Sequence, residues 1–150
     1  MELKLPPIVI LFAFAGGMYV LDRFLPFGDF DFFGRIYLKG FLLISAVVVS
    51  VIPLLQFFKS KTTADPTKPD KASSLVTGGI YAFTRNPMYL AMLLLLLAWG
   101  LNLGNAFNVL LAAGFVGYMN RFQIVPEEQA LLQIFGKEYQ QYLVKVRRWF

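Results

Sequence analysis

Four long apolar stretches, separated by polar and turn-forming segments, dominate the pattern of this chain. They run from about Pro6 to Leu21, Ile36 to Phe58, Pro87 to Leu103 and Ala106 to Val125. A helix needs about 20 residues to cross ~30 Å of hydrocarbon, so the second and fourth stretches fit a span directly. The first and third are shorter and must borrow length from their polar flanks. The first stretch also invites comparison with a signal peptide, because it follows a single Lys4. Tyr19-Val20-Leu21 offers no small-residue cleavage site, so the stretch is expected to be a retained helix. After the fourth stretch the periodicity becomes helical and one-sided, with Leu131, Ile134, Phe135, Tyr139, Tyr142, Leu143 and Val146 sharing a face. Gly136 is placed to break that helix in two. Such a helix either lies along the membrane surface or folds back over the mouth of the bundle. The predicted fold class is therefore an all-α integral membrane protein. It has about four transmembrane helices and a C-terminal amphipathic helix, forming a single domain over residues 1–150.

Composition supports this class. Hydrophobic residues make up 57% of the chain and charged residues 15%, where a soluble domain carries about 25% charged residues. Neither cysteine nor histidine occurs. Disulfides, thiolate nucleophiles, cysteine metal sites and histidine bases are thereby excluded, and no metal site is expected. Basic residues set the predicted orientation. Lys59, Lys61, Lys68, Lys71 and Arg85 lie between the second and third stretches, and Lys137, Lys145, Arg147 and Arg148 follow the fourth. The positive-inside rule places both regions, and with four spans both termini, in the cytoplasm. The net charge of +5 is accounted for by topology and contact with anionic lipid. No nucleic-acid motif is present. Lys59–Ser74, with turns at Asp65-Pro66 and Lys68-Pro69, reads as an exposed linker.

Two polar segments carry the candidate chemistry. In Thr77–Leu90, Gly78-Gly79 permits close backbone approach or a positive φ, and Asn86-Pro87 reads as an N-cap and first residue of the third helix. The positive end of that helix, beside Arg85 and Tyr81, is a place to hold a carboxylate. The same residues also read as a turn, a cap and interfacial tyrosines, Tyr81 and Tyr89. The second segment is Glu127-Glu128 after Pro126, where two acids in a first helical turn are good helix-start chemistry in their own right. Arg121, close to the end of the fourth stretch, is expected to snorkel or pair. Gly100-x-x-x-Gly104, flanked by Asn102 and Asn105, reads as the connection between the third and fourth stretches. The tail Arg147-Arg148-Trp149-Phe150 reads as an interfacial anchor.

Gly79-Ile80-Tyr81-x-x-x-Arg85-Asn86-Pro87-Met88-Tyr89 resembles a motif of the isoprenylcysteine carboxyl methyltransferase family, which is related to the phospholipid methyltransferases. Glu127-Glu128-x-x-Leu131-x-x-x-Phe135-Gly136-x-x-Tyr139-x-x-Tyr142-x-x-x-Val146-x-Arg148-Trp149 is similar to that family's C-terminal signature. The two matches come in the family's order and cover about half the chain. The resemblance implies a methyltransferase that uses S-adenosylmethionine at a cytoplasmic-side site. It places Gly79, Tyr81, Arg85, Asn86, Pro87, Tyr89, Glu127 and Glu128 at that site. Tyr139 and Tyr142 would line an adenine slot, and Arg85, Glu128 and Arg121 would serve the chemistry. A carboxylate can accept from ribose hydroxyls, and a tyrosine face suits a sulfonium. Asn86 departs from the histidine of several members and keeps hydrogen-bonding capacity without a titratable role. Methyl transfer from a sulfonium needs positioning above all, so the implied acceptor is a small or lipophilic molecule bearing a carboxylate, a thiol or a lipid head group. Membrane sterol reductases, which use NADPH, share a related first motif but carry a different acidic tail. A small non-enzymatic membrane protein is the remaining alternative.

Overall fold

The computed structural model describes residues 5–25, 27–60 and 75–150. The linker expectation for Lys59–Ser74, and with it the basic residues Lys61, Lys68 and Lys71, falls largely outside the described residues. Five helices appear in order: α1 Pro7–Phe24, α2 Arg35–Ser60, α3 Pro87–Leu103, α4 Asn108–Met119 and α5 Val125–Lys145. A short 3₁₀ turn, Gly79–Ala82, precedes α3, and a π-helical turn, Asn120–Ile124, joins α4 to α5. The described residues hold no strand, only an isolated bridge between Asp29 and Asn105.

The all-helical class is borne out. Two helices are long and apolar enough to cross a membrane, Pro7–Phe24 and the Arg35–Gln56 part of α2, and α3 is a shorter apolar helix. Of the described α2 side chains only Ala46 and Pro53 are buried. Phe41, Ile44 and Val47 are each more than half exposed. An apolar surface of this extent is untenable in water and matches a lipid-facing helix. α2 packs along α3, while α1 packs on α3 and α4. Their shared core holds Ile10, Met18, Leu93, Leu96, Phe115 and Met119. Phe14 meets Phe115 edge-on with centroids 5.7 Å apart. Gly114 admits that ring, since a Cβ there would sit 3.3 Å from it.

The expected fourth span, Ala106 to Val125, is not one regular helix. Gly104 closes α3 in the left-handed conformation, φ 84°, and Asn105 is a buried staple in the turn. Its amide donates to Leu25 O at 3.0 Å and its oxygen accepts from Phe107 N at 3.0 Å. Gly100, in contrast, is helical and lies against Asn108, so only the Gly104 end of that spacing belongs to the connection.

At the other end of α4, Asn120, Ile124 and Val125 all keep right-handed helical backbone angles. α4, the π turn and α5 therefore form one rod. α5 does begin at Val125 with Pro126, Glu127 and Glu128 in its first turn, as expected, but the backbone runs into it without a break, so this start is not a free helix end. The physical reason lies in proline itself: it offers no N–H to the preceding turn, and the wider π register absorbs the missing bond. Gly136, with φ 50° and ψ −120°, breaks α5 as expected. Beyond the break the chain folds back on the 3₁₀ turn, and Tyr81, Tyr139, Tyr142 and Val146 form a second core. Of the two arrangements open to the tail, the described residues take the folded-back one.

Candidate functional site

The site begins with how its first wall is held. Gly79 has φ +60°, and a Cβ there would collide with the Gln56 side chain. Gln56 of α2 donates to Gly78 O at 3.0 Å and accepts from Ile80 N at 3.3 Å. Close approach and positive φ at Gly79 are therefore both realised, and the group that approaches is Gln56. Tyr81, on the 3₁₀ turn, accepts at its carbonyl from the Tyr142 hydroxyl at 2.7 Å.

The C-terminal tail docks against the residues that lead into α3. Arg85 N donates to Arg147 O at 3.0 Å. Thr84 Oγ1 and Asn86 Nδ2 both donate to Arg148 O, at 3.2 and 3.0 Å. Asn86 does occupy the position before Pro87, yet its side chain caps no helix N–H. Its Nδ2 is turned to the tail carbonyl instead. Trp149 Nε1 donates to Asn120 Oδ1 at 3.0 Å, which ties the tail to the π turn. The tail is thus a docked strap, with Arg148 and Trp149 bonded to the start of α3 and to the π turn. Neither tyrosine of the first motif is an interfacial anchor, because Tyr81 and Tyr89 are both buried.

The acidic pair divides between two environments. Glu128 is buried and accepts from Arg148 through both oxygens, Nε at 3.0 Å and Nη2 at 2.7 Å. Arg85 Nη2 lies 3.2 Å from the same carboxylate. Glu127 is half-buried and accepts a short hydrogen bond from the Tyr89 hydroxyl. Burial pushes the Glu127 carboxyl up to about 8, the Tyr89 bond pulls it down, and the Glu128 charge adds to the rise. Burial also raises the Tyr81, Tyr139 and Tyr142 hydroxyls, which stay protonated. The hydrogen bond to Glu128 raises Arg148 and keeps it cationic. Two guanidiniums, those of Arg85 and Arg148, thus share the Glu128 carboxylate. Arg85 Nε is buried and has no hydrogen-bond partner among the described residues. A buried donor without an acceptor is costly, and it is the feature here that most directly invites an anionic or carbonyl oxygen from a ligand.

The structure thus brings Tyr81, Arg85, Asn86, Pro87, Tyr89, Glu127, Glu128, Tyr139 and Tyr142 to one end of the bundle, with Gly79 shaping the wall behind them. Arg121 is exposed on the π turn, with its guanidinium 5.4 Å from the Phe122 ring centre. It makes no ion pair with Glu127 or Glu128. Sequence reasoning missed Gln56, Thr84 and the pairing of Arg148 with Glu128. Gln56, a lone amide near the end of an apolar stretch, is the kind of signal that could have found the first of these.

A family model described as phospholipid methyltransferase matches residues 35–138. The chain belongs to the phospholipid methyltransferase family. The matched stretch contains Gly79 to Glu128 and stops short of Tyr139, Tyr142 and Arg148, which the fold nonetheless brings to the same place. Among curated proteins, an uncharacterized protein of Haemophilus influenzae is 52% identical over 62 residues, 41% of this chain and 98% of that protein. The protein-S-isoprenylcysteine O-methyltransferase of Schizosaccharomyces pombe is 36% identical over 80 residues, 53% of this chain and 34% of the yeast enzyme. No solved structure matches. Family membership and the yeast relative point to a membrane methyltransferase.

Proposed function

We propose that this protein transfers a methyl group from S-adenosylmethionine to a small or lipophilic acceptor at the cytoplasmic face of the membrane. The observation that carries the reading is the unpartnered, buried Nε of Arg85, whose carboxylate partner Glu128 is shared with a second guanidinium, Arg148. S-adenosylmethionine ends in a carboxylate, and Arg85 supplies a donor and a charge to hold it. Glu127 has a second oxygen beyond the one bonded to Tyr89, suited to a ribose hydroxyl. The rings of Tyr139 and Tyr142, with centroids 5.9 Å apart, border an aromatic slot for adenine. When bound, S-adenosylmethionine supplies an electrophilic methyl on a sulfonium leaving group. The residues of this chain position the reactants and exclude water.

The acceptor most compatible with these residues already carries a lone pair free to attack, such as a carboxylate, a thiolate or a neutral head-group atom. No histidine or cysteine is present to deprotonate a cationic amine. Exposed Arg121, on the π turn between α4 and α5, is placed to attract an anionic acceptor rather than to touch the Glu128 cluster. In this reading the chain is one domain with four spans, both termini cytoplasmic, and the folded-back α5 covering the site.

Calorimetry on detergent-solubilised protein with S-adenosylmethionine, S-adenosylhomocysteine and NADPH tests the proposal. Binding of the first two, weakened in Arg85→Ala and Glu128→Ala, is expected. Binding of NADPH alone would overturn it.

A further inference from the structure

The opposite end of the bundle holds a second polar cluster that methyl transfer does not use. α3 runs from the Glu128 cluster at Pro87 to Leu103, and 17 residues at ~1.5 Å each separate the two ends by about 25 Å. There, a cavity of about 290 Å³ is lined by Asp31, Arg35, Ile36, Lys39 and Asn102, among others. Its floor is Arg35, which donates from Nε to Leu101 O at 2.6 Å, from Nη2 to Asn102 O at 2.9 Å and from Nη1 to Phe30 O at 3.3 Å. These bonds hold the guanidinium fixed, so Arg35 gives the cavity a positive charge that does not swing away. Lys39, one helical turn further, donates once, to Asn102 Oδ1 at 3.1 Å. An ammonium has three donors, which leaves Lys39 two for a ligand.

The rim is apolar. The apolar lining residues Phe32 and Ile36 are both exposed, their chain neighbours Phe33 and Tyr37 are exposed as well, and Phe32 stacks on Phe30 at 6.1 Å. Asp31 is the one carboxylate at the mouth. It is 83% exposed and only 3.5 Å from Arg35 Nη1, so the cavity has two cations against one anion.

We propose that this cavity binds the phosphate of an anionic phospholipid in the membrane leaflet opposite the Glu128 cluster. Fixed and free cations inside the cavity recognise the phosphate, and the exposed aromatic and aliphatic rim lies against the acyl chains. The rim favours a lipid over free phosphate, which would gain nothing from it.

Native mass spectrometry of the full chain in micelles provides the test, with phosphatidylglycerol, phosphatidylcholine and inorganic phosphate offered separately. Preferential retention of phosphatidylglycerol is expected. Lys39→Gln should reduce it about fivefold, equivalent to the ~1 kcal/mol of one lysine near an anionic surface. Asp31→Asn, which needs no change to the buried groups, should raise it. Arg85→Ala, at the other end, should leave it unchanged. Equal retention of both lipids, insensitivity to Lys39→Gln, lowered retention in Asp31→Asn, or displacement by inorganic phosphate each overturns the assignment. S-adenosylmethionine affinity, read in the same samples, bears on the methyltransferase reading alone, so the two proposals fail separately.

Discussion

Arg85 and Arg35 sit at opposite ends of α3, and both reach inward from a polar segment. Arg35 spends its donors on the carbonyls of Leu101, Asn102 and Phe30. It closes the C-terminal end of α3, where the last carbonyls of any helix lack partners, and it packs so closely that a Cβ at Gly104 would lie 2.8 Å from Nη2. Arg85 instead faces the Glu128 carboxylate and keeps a buried Nε without a partner. The same side chain is a clasp that offers a ligand only its fixed charge where carbonyls surround it, and a cation with a donor to spare where they do not. Satisfaction of donors, rather than charge, separates the two roles.

The largest expected effect breaks the comparison at its Glu128 side. Glu128→Ala leaves Arg85 and Arg148 facing each other without a counter-charge and should cost about 3–5 kcal/mol. Arg35→Ala exposes unpaired helix carbonyls and should cost about 1–3 kcal/mol. Chemical unfolding in mixed micelles measures both, and calorimetry should show cofactor affinity lost in the first and kept in the second. An Arg35→Ala protein that folds but no longer binds S-adenosylmethionine would erase the distinction.

Arg85→Lys sharpens it. The charge facing Glu128 is retained while the planar fork and its Nε are removed. S-adenosylmethionine affinity should fall about tenfold or more, in line with the ~1.5–3 kcal/mol of a hydrogen bond to a charged group. The unfolding midpoint should barely move. A matching Arg35→Lys substitution should show the reverse, a stability loss with unchanged affinity.

Gly79→Ala tests the wall behind the cluster. The left-handed backbone costs about 1–2 kcal/mol for a residue with a Cβ, and the collision with Gln56 adds to it. Gln56→Ala in the same chain should recover part of that loss, because it removes the colliding amide. Full additivity in the double mutant would mean that the two residues do not meet.

A pH slope probes the neighbouring carboxyl, Glu127. Glu127 rises from 4.5 to about 8 on folding, so between those values the folded protein holds a proton that the unfolded chain has released. Its contribution to stability is fully present below pH 4.5, declines as pH rises towards about 8, and is flat above that. Thermal midpoints in micelles from pH 5 to 9 should fall along this window in wild type, and the fall should shrink in Glu127→Gln.

Much of the fold was legible in the sequence for a simple reason. A long apolar run between turn signals has few ways to be satisfied, and α2 and α3 fall where the pattern places them, within two residues at either end. Gly136 likewise announces its break, since few other residues relax into φ 50°. The candidate site was legible as residue types in order, because Arg85, Tyr89, Glu127 and Glu128 are unusual beside apolar stretches. Their partners were not. Proline at 126 carries the same local signature at a helix start and inside a π-widened rod. The unbroken helical backbone through Asn120, Ile124 and Val125 marks the second arrangement.

The sequence by itself determined a helical, lipid-facing chain with two polar motifs and no histidine or cysteine chemistry. Local spacing and hydrophobicity are sufficient for those properties. Only the tertiary structure decided that Arg148 returns across 20 residues to clasp Glu128. It also decided that Tyr89 covers Glu127, and that Arg85 keeps a donor free while Arg35 does not. Whether a buried polar group is satisfied depends on distant backbone and side-chain atoms brought within about 3 Å, and no pattern along the chain encodes that distance.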